Sequence, residues 1–132
     1  VFGELFVKRG LIPDGGGTWT LPRLLGWSKA CEMVLVADIV DAKQAERIGL
    51  VNMVVPHDDL EKVTMEIATK ICNNAPMAVK TAKRLMRLGL RSDLETALDQ
   101  VAFSQNKLLL TEDHKEGARA FVEKREPHFH GR

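Results

Sequence analysis

The stretch that most restricts the fold of this chain is its proline- and glycine-rich loop, residues 10–18, which reads Gly-Leu-Ile-Pro-Asp-Gly-Gly-Gly-Thr. Pro13 fixes its own φ and disfavours the helical conformation for the residue before it. Three consecutive glycines adopt backbone conformations that residues with a Cβ avoid. These properties predict a loop ahead of a helix, with the carboxylate of Asp14 held where a ligand can approach the backbone closely. An ordinary Asp-Gly turn is the structural alternative.

Further segments resemble, in order and spacing, the second half of crotonase, or enoyl-CoA hydratase/isomerase, family proteins. Several separated segments in register are more specific than one glycine loop. The matching segments are Phe2-Gly3 and residues 10–26, 30–35, 41–52, 112–117 and 120–125. Family members are much longer, and the chain begins where their second half would begin. The resemblance therefore implies that this chain is a fragment.

The resemblance also implies an α/β fold class and a division into two parts. Residues 1–74 would form the C-terminal part of a crotonase-type ββα spiral core. Residues 75–132 would form a helical oligomerisation region that mediates trimer formation. The boundary falls where Asn73-Asn74-Ala75-Pro76 interrupts the helical period of the preceding apolar residues.

Local signals before this boundary predict short strands and helices. Residues 5–7 and residues 50–55 are apolar runs typical of strands. Ser28 is a suitable N-cap for a helix that runs to about residue 36. Asp41 and Gln44 form a capping-box pattern ahead of another short helix.

After the boundary the sequence predicts consecutive amphipathic helices. Pro76 suits a first helical turn, and Ser92 with Glu95 forms a second capping-box pattern. Thr111 begins the last helix and Pro127 ends it. A small bundle of this kind often completes the burial of its apolar faces against another subunit.

The resemblance places the chemistry on acyl-CoA thioesters, since family enzymes stabilise a thioester enolate with two backbone N–H groups. Those donors lie in the absent half, so the fragment alone is expected to be inactive. Hydratases of the family carry a catalytic glutamate four residues before the glycine equivalent to Gly10, and Phe6 stands there. Asp14 occupies the position where dienoyl-CoA isomerases and ring-opening isomerases place a catalytic aspartate. We therefore predict a double-bond shift in an enoyl-CoA with Asp14 as acid and base.

Two alternatives remain open. One is an enoyl-CoA hydratase that uses Glu4 or a glutamate of the absent half. The other is a non-catalytic homologue that serves as a scaffold or binds RNA. A hydratase needs one carboxylic acid and one carboxylate around the water, so the phenyl ring of Phe6 argues against simple hydration.

The predicted substrate-binding residues surround the loop, with one further residue near the C-terminus. We expect apolar neighbours to desolvate Asp14 partly, and Trp19 to anchor the helix after the loop or to line the acyl pocket. Lys124 matches a family lysine that reaches the CoA bound to a neighbouring subunit. The full set is Phe6, Pro13, Gly15, Gly16, Trp19 and Lys124.

The remaining expectations concern partners and location. The net charge of +1 argues against bulk attraction to nucleic acid or membrane. We expect an acyl-CoA substrate, no cofactor beyond the CoA thioester, no metal, and a homo-oligomer that is a trimer or a dimer of trimers. His128 and His130 are predicted to be exposed tail residues. The expected location is the cytoplasm, or the mitochondrial matrix in a eukaryote, because two unclustered cysteines, Cys31 and Cys72, in a chain without a signal peptide suggest a reducing compartment.

Overall fold

Helices make up nearly all of the regular structure in the computed structural model, which describes residues 1–132. The chain divides into two compact units, Val1–Asp59 and Leu60–Arg132. No β-strand forms, and the β pairing is limited to one antiparallel bridge between Phe2 and Val40. The strands that an α/β fold class requires are therefore not found in this chain, and the described part of the fold is helical.

The first unit contains three α-helices joined by shorter helical turns. It begins with a 3-10 helix, Leu5–Arg9, and ends with a 3-10 turn, His57–Asp59. Between them lie α1 (Gly17–Leu25), α2 (Trp27–Cys31), which continues as a π-helical turn (Glu32–Val36), and α3 (Ala42–Arg47).

Both predicted strands of the first unit are wrong. Residues 5–7 belong to the Leu5–Arg9 helix, and residues 50–55 form no regular element. A strand needs a neighbouring strand to satisfy its backbone N–H and C=O groups, and neither segment has such a partner here. The backbone before the glycine loop satisfies its groups locally instead, because the N–H of Leu11 donates to the carbonyl of Phe6 at 3.1 Å.

The N-cap predicted at Asp41 is confirmed. The N-cap predicted at Ser28 is wrong, because the helix begins two residues earlier. The Asp41 carboxylate accepts a hydrogen bond from the backbone N–H of Gln44 at 2.7 Å and begins α3. Gly26 rather than Ser28 is the N-cap of α2. Gly26 has a φ of 76°, a conformation that favours glycine.

The core of the first unit lies between α1, α2 and the bridge at Val40. Leu21 from α1 packs with Ala30 and Met33, so the two helices bury their facing sides against each other. Trp27 nevertheless remains 76% exposed. The unit therefore leaves large apolar side chains in contact with water.

The second unit is a series of four helices: α4 (Leu60–Cys72), α5 (Pro76–Gly89), α6 (Leu94–Leu108) and α7 (Glu112–Glu123). Pro76 lies in the first turn of α5 as predicted, where its missing N–H costs nothing. Helices α5 and α6 pack together, and Arg84 donates a hydrogen bond at 3.2 Å to the buried Ser104 hydroxyl.

Thr111 caps α7 as predicted, since its hydroxyl accepts from the N–H of His114 at 3.1 Å. The predicted cap at Ser92 is wrong, because Asp93 is the N-cap of α6. The Asp93 carboxylate accepts from both the backbone N–H and the hydroxyl of Thr96, at 2.8 and 2.9 Å. The same bonds lower the pKa of Asp93. Ser92 instead donates its hydroxyl to a carbonyl of the preceding turn.

The last helix ends at Glu123, before Pro127 is reached, and the tail that follows folds back onto it. The buried carboxylate of Asp113 accepts the backbone N–H groups of His130 and Gly131 at 2.7 and 2.8 Å. The side chains of His128 and His130 are exposed as predicted, but their backbone is fixed. Sequence patterns gave no sign of this fixation, because it depends on the burial of Asp113.

Candidate functional site

The glycine loop has a defined geometry that presents Asp14 at the surface. Pro13 is buried, whereas Asp14 is exposed. Gly15 and Gly16 both have left-handed backbones, with φ values of 55° and 88°. The N–H of Gly17 then donates to the carbonyl of Asp14 at 2.9 Å, and α1 begins. The loop therefore brings four of the predicted site residues together: Pro13, Asp14, Gly15 and Gly16.

The loop closes tightly at Gly17. A Cβ at this position would lie 2.9 Å from the Cβ of Pro13 and 3.7 Å from both carboxylate oxygens of Glu4. Only glycine fits beside the proline at position 17 without movement, whereas Gly15 and Gly16 are favoured by their positive φ values.

Glu4 is half-buried, and its carboxylate lies beside Gly17 where α1 begins. Negative charge is favourable near a helix N-terminus, where unpaired N–H groups point outwards. Glu4 is the carboxylate that the hydratase alternative uses within this chain. The structure places it at the glycine loop, so the loop has two carboxylates, that of Asp14 and that of Glu4.

The Asp14 carboxylate forms no hydrogen bond or ion pair within the chain. The expected desolvation by apolar neighbours is not found in the described chain, where Ile12 is 77% exposed and Asp14 itself is exposed. A carboxylate without an intramolecular partner is free to accept a proton or a hydrogen bond from a ligand.

Trp19 projects from the first turn of α1 and is 42% exposed. The guanidinium of Arg23 lies 4.0 Å from the centre of a Trp19 ring, and Arg23 also donates to the Trp19 carbonyl at 3.0 Å. A cation over an aromatic face is attractive. Trp19 is therefore held by its own helix, and the core position of α1 belongs to Leu21. Phe6 is half-buried in the 3-10 helix before the loop.

Lys124 lies in the second unit, immediately after α7, and is exposed. It has a left-handed backbone with φ 53° and ψ 43°. Together with Ala37 it is one of two non-glycine residues with positive φ.

Neither a metal-binding cluster nor a membrane-spanning helix is found among residues 1–132. No group of three or more His, Cys, Asp or Glu side chains is arranged to hold a metal ion. No helix has both the length and the apolar character needed to span a membrane.

Comparison with known proteins gives matches along the whole chain. The sequence model of the family described as enoyl-CoA hydratase/isomerase matches residues 1–132. A short-chain-enoyl-CoA hydratase from Clostridium acetobutylicum is 41% identical over 124 residues, which is 94% of this chain and 48% of that protein. A crotonyl-CoA hydratase from Syntrophomonas wolfei is 38% identical over 128 residues, or 97% of this chain and 49% of that protein.

The solved structures agree with the sequence comparison. The crystal structure of an enoyl-CoA hydratase from Bacillus anthracis superimposes with a TM-score of 0.94 at 38% identity. It covers 98% of this chain, and the chain covers 50% of it. The chain thus spans about half the length of the relatives that it matches.

Proposed function

Because this chain belongs to the enoyl-CoA hydratase/isomerase family, we propose that the complete protein transforms an enoyl-CoA thioester, with Asp14 as its acid and base. The observation that carries this proposal is the exposed Asp14 carboxylate, which has no partner in the chain and lies in a loop that closes tightly at Gly17. The enolate would be stabilised by two backbone N–H groups in the half that precedes this chain. Removing one donor of such a pair typically costs about 3 kcal/mol. The 132-residue chain by itself is therefore expected to be inactive.

Within this class we propose a shift of the double bond. Asp14 would take the α proton of a 3-enoyl thioester, which leaves a dienolate, and would return the proton to the γ carbon. The product is the conjugated 2-enoyl thioester, and the carboxylate is regenerated. One carboxylate is sufficient for both proton transfers. Phe6 supports this choice, since it stands where the hydratases carry a catalytic glutamate.

Hydration is the second candidate, because the relatives described above are named hydratases. Adding water across a double bond requires a base for the water and an acid for the α carbon. Asp14 and Glu4 provide two carboxylates at the same loop. A glutamate from the preceding half would serve equally well. Hydration is therefore possible without a carboxylate at position 6.

The other expectations stay proposals for the complete protein. Residues 1–74 would complete the spiral core and residues 75–132 would form the oligomerisation region of a trimer or a dimer of trimers. Apolar side chains such as Phe121 and Val122, 85% and 79% exposed, support burial in an assembly. Light scattering on the complete protein measures the assembly. The proposed location is the cytoplasm, or the mitochondrial matrix in a eukaryote.

The experiment that separates the two reactions follows the ultraviolet absorbance of the conjugated enoyl thioester. The complete protein is mixed with 3-enoyl-CoA and, separately, with 2-enoyl-CoA. A rising signal from 3-enoyl-CoA shows that conjugation is created and supports isomerisation. A falling signal from 2-enoyl-CoA shows addition of water and supports hydration.

No change with either substrate would favour the non-catalytic alternative, a scaffold or an RNA-binding homologue. RNA binding would then show as retention on a heparin-like resin that persists in moderate salt. Contacts to phosphate weaken as salt increases, so only a protein that makes several of them stays bound. Lys80, Arg84 and Arg87 lie exposed on α5 and are the cations to substitute in that case.

A further inference from the structure

The end of α7 has an unusual residue at a position that normally belongs to glycine. The N–H of Lys124 donates to the carbonyl of Phe121 at 3.4 Å, and the N–H of Arg125 donates to the carbonyl of Ala120 at 3.1 Å. This pair of bonds is a Schellman motif, in which the residue at the Lys124 position is left-handed and is usually glycine. A lysine pays a steric cost there that glycine does not. Non-glycine residues with a left-handed backbone are found where the side chain has a function and the surrounding structure fixes the backbone.

Arg125 supplies the surroundings that hold this backbone. Its two terminal nitrogens donate to the two carboxylate oxygens of Glu116 at 2.6 and 2.9 Å. Its Nε donates to Glu123 at 2.6 Å. Lys124 thus stands between two residues, Glu123 and Arg125, that are joined to each other and to the middle of α7.

Arg125, Glu116 and Glu123 form a clamp at the end of α7, and its geometry is specific to arginine and glutamate. A guanidinium forms two parallel hydrogen bonds to a carboxylate, whereas a lysine ammonium acts as a point charge. The side chains of Arg125 and Glu116 are only 36% and 21% exposed. The hydrogen bonds from Arg125, with one from the backbone N–H of His128, lower the pKa of Glu116 to about 2. The pair therefore stays charged at neutral pH.

We infer that the Glu116–Arg125 pair is a positioning device that fixes the left-handed backbone of Lys124 and so aims its ammonium group at the phosphates of the CoA thioester. This inference rests on the proposed function and on the contact with CoA that the family resemblance predicts for Lys124. Glu116 and Arg125 act through Lys124 and touch no substrate themselves. Loss of the pair should weaken substrate binding and leave the chemical step unchanged.

The test uses steady-state kinetics of the complete protein with its enoyl-CoA substrate, in four variants and a control. Lys124→Ala removes the ammonium and should raise KM about tenfold with little change in kcat, as expected for the loss of a binding contact. Glu116→Gln and Arg125→Lys each break the paired hydrogen bonds between Arg125 and Glu116 and should raise KM about three- to tenfold. Glu112→Gln is the matched control, because it breaks the exposed Lys115–Glu112 pair of the same helix, and it should leave KM unchanged.

Two further measurements distinguish positioning from a purely structural role. The double variant Glu116→Gln with Lys124→Ala should have the same KM as Lys124→Ala alone, since positioning an absent side chain has no effect. The KM of the unmodified protein should rise with salt, because salt screens the attraction between the ammonium group and the phosphates. The rise should be smaller in both Glu116→Gln and Lys124→Ala.

The outcomes separate this inference from the function on which it rests. If Lys124→Ala leaves KM unchanged, the role of Lys124 in CoA binding is wrong and the inference is wrong with it. If Lys124→Ala raises KM while Glu116→Gln and Arg125→Lys do not, CoA binding by Lys124 stands and the positioning role is overturned. Arg125→Lys keeps the charge of the site, so the test does not depend on Glu116→Gln being well folded.

Discussion

Asp113 is the residue whose substitution should most clearly destabilise the second unit. Its carboxylate is 3% exposed and accepts two backbone N–H groups of the tail, from His130 and Gly131. In Asp113→Asn only one side-chain oxygen remains, and the amide N–H₂ group faces a backbone N–H donor. A hydrogen bond to a charged group is worth about 1.5–3 kcal/mol, so losing one predicts a destabilisation of about 2 kcal/mol. For a protein about twice the length of this chain, that loss lowers Tm by about 4–8 °C.

The assay is thermal unfolding of the complete protein, combined with amide hydrogen exchange of the tail. Exchange at His130 and Gly131 should become faster in Asp113→Asn, because their acceptor is lost. Glu112→Gln, at the exposed neighbouring position, is the control and should change neither Tm nor exchange. If Asp113→Asn kept both the Tm and the slow exchange of the tail, the claim that this carboxylate fixes the tail would be refuted.

Three further predictions concern the loop and the clamp. Gly17→Ala, whose Cβ would lie 2.9 Å from Pro13, should lower the free energy of unfolding by about 1–3 kcal/mol in denaturant titration; an unchanged midpoint would contradict the packing argument. Phe6→Glu should raise the ratio of hydration to isomerisation measured by absorbance, whereas the uncharged Phe6→Gln should not, and equal ratios would refute the role given to Phe6. Glu116, whose pKa in the folded protein is about 2 instead of the ordinary 4.5, contributes stability that is present above about pH 4.5 and lost on acidification towards pH 2. The stability difference between the unmodified protein and Glu116→Gln should therefore shrink over that window, and a constant difference would show that Arg125 does not depress this pKa.

Much of the helical structure could be predicted from the sequence, because capping depends on residues close together in the chain. Asp41, Pro76 and Thr111 each begin a helix through their own side chain or ring. The error at Ser92 arose where two capping residues stand side by side, and the carboxylate of Asp93 took the position. Local chemistry narrows such a choice to two residues, and here the Asp93 carboxylate accepts two hydrogen bonds from Thr96.

The strands and the environment of the site could not be predicted in the same way. A strand depends on a neighbouring strand, and residues 5–7 have none in this chain. The resemblance identified Asp14, but its exposure depends on which distant groups pack over the loop. The position of Glu4 beside Gly17 and the hydrogen bonds between Arg125 and Glu116 also join residues of different turns and loops, thirteen and nine positions apart. No periodic pattern indicates such contacts.

Turnover of the Asp14→Asn variant of the complete protein tests the central claim most directly. It should be measured with 3-enoyl-CoA and 2-enoyl-CoA, beside Asp38→Asn as a control at another exposed carboxylate of the same unit. Loss of a general acid or base typically lowers the rate by about a hundredfold or more. The account predicts such a fall in kcat for Asp14→Asn on the substrate that the protein uses, and none for Asp38→Asn. Unchanged turnover in Asp14→Asn would contradict it, because the reaction would then proceed without the Asp14 carboxylate.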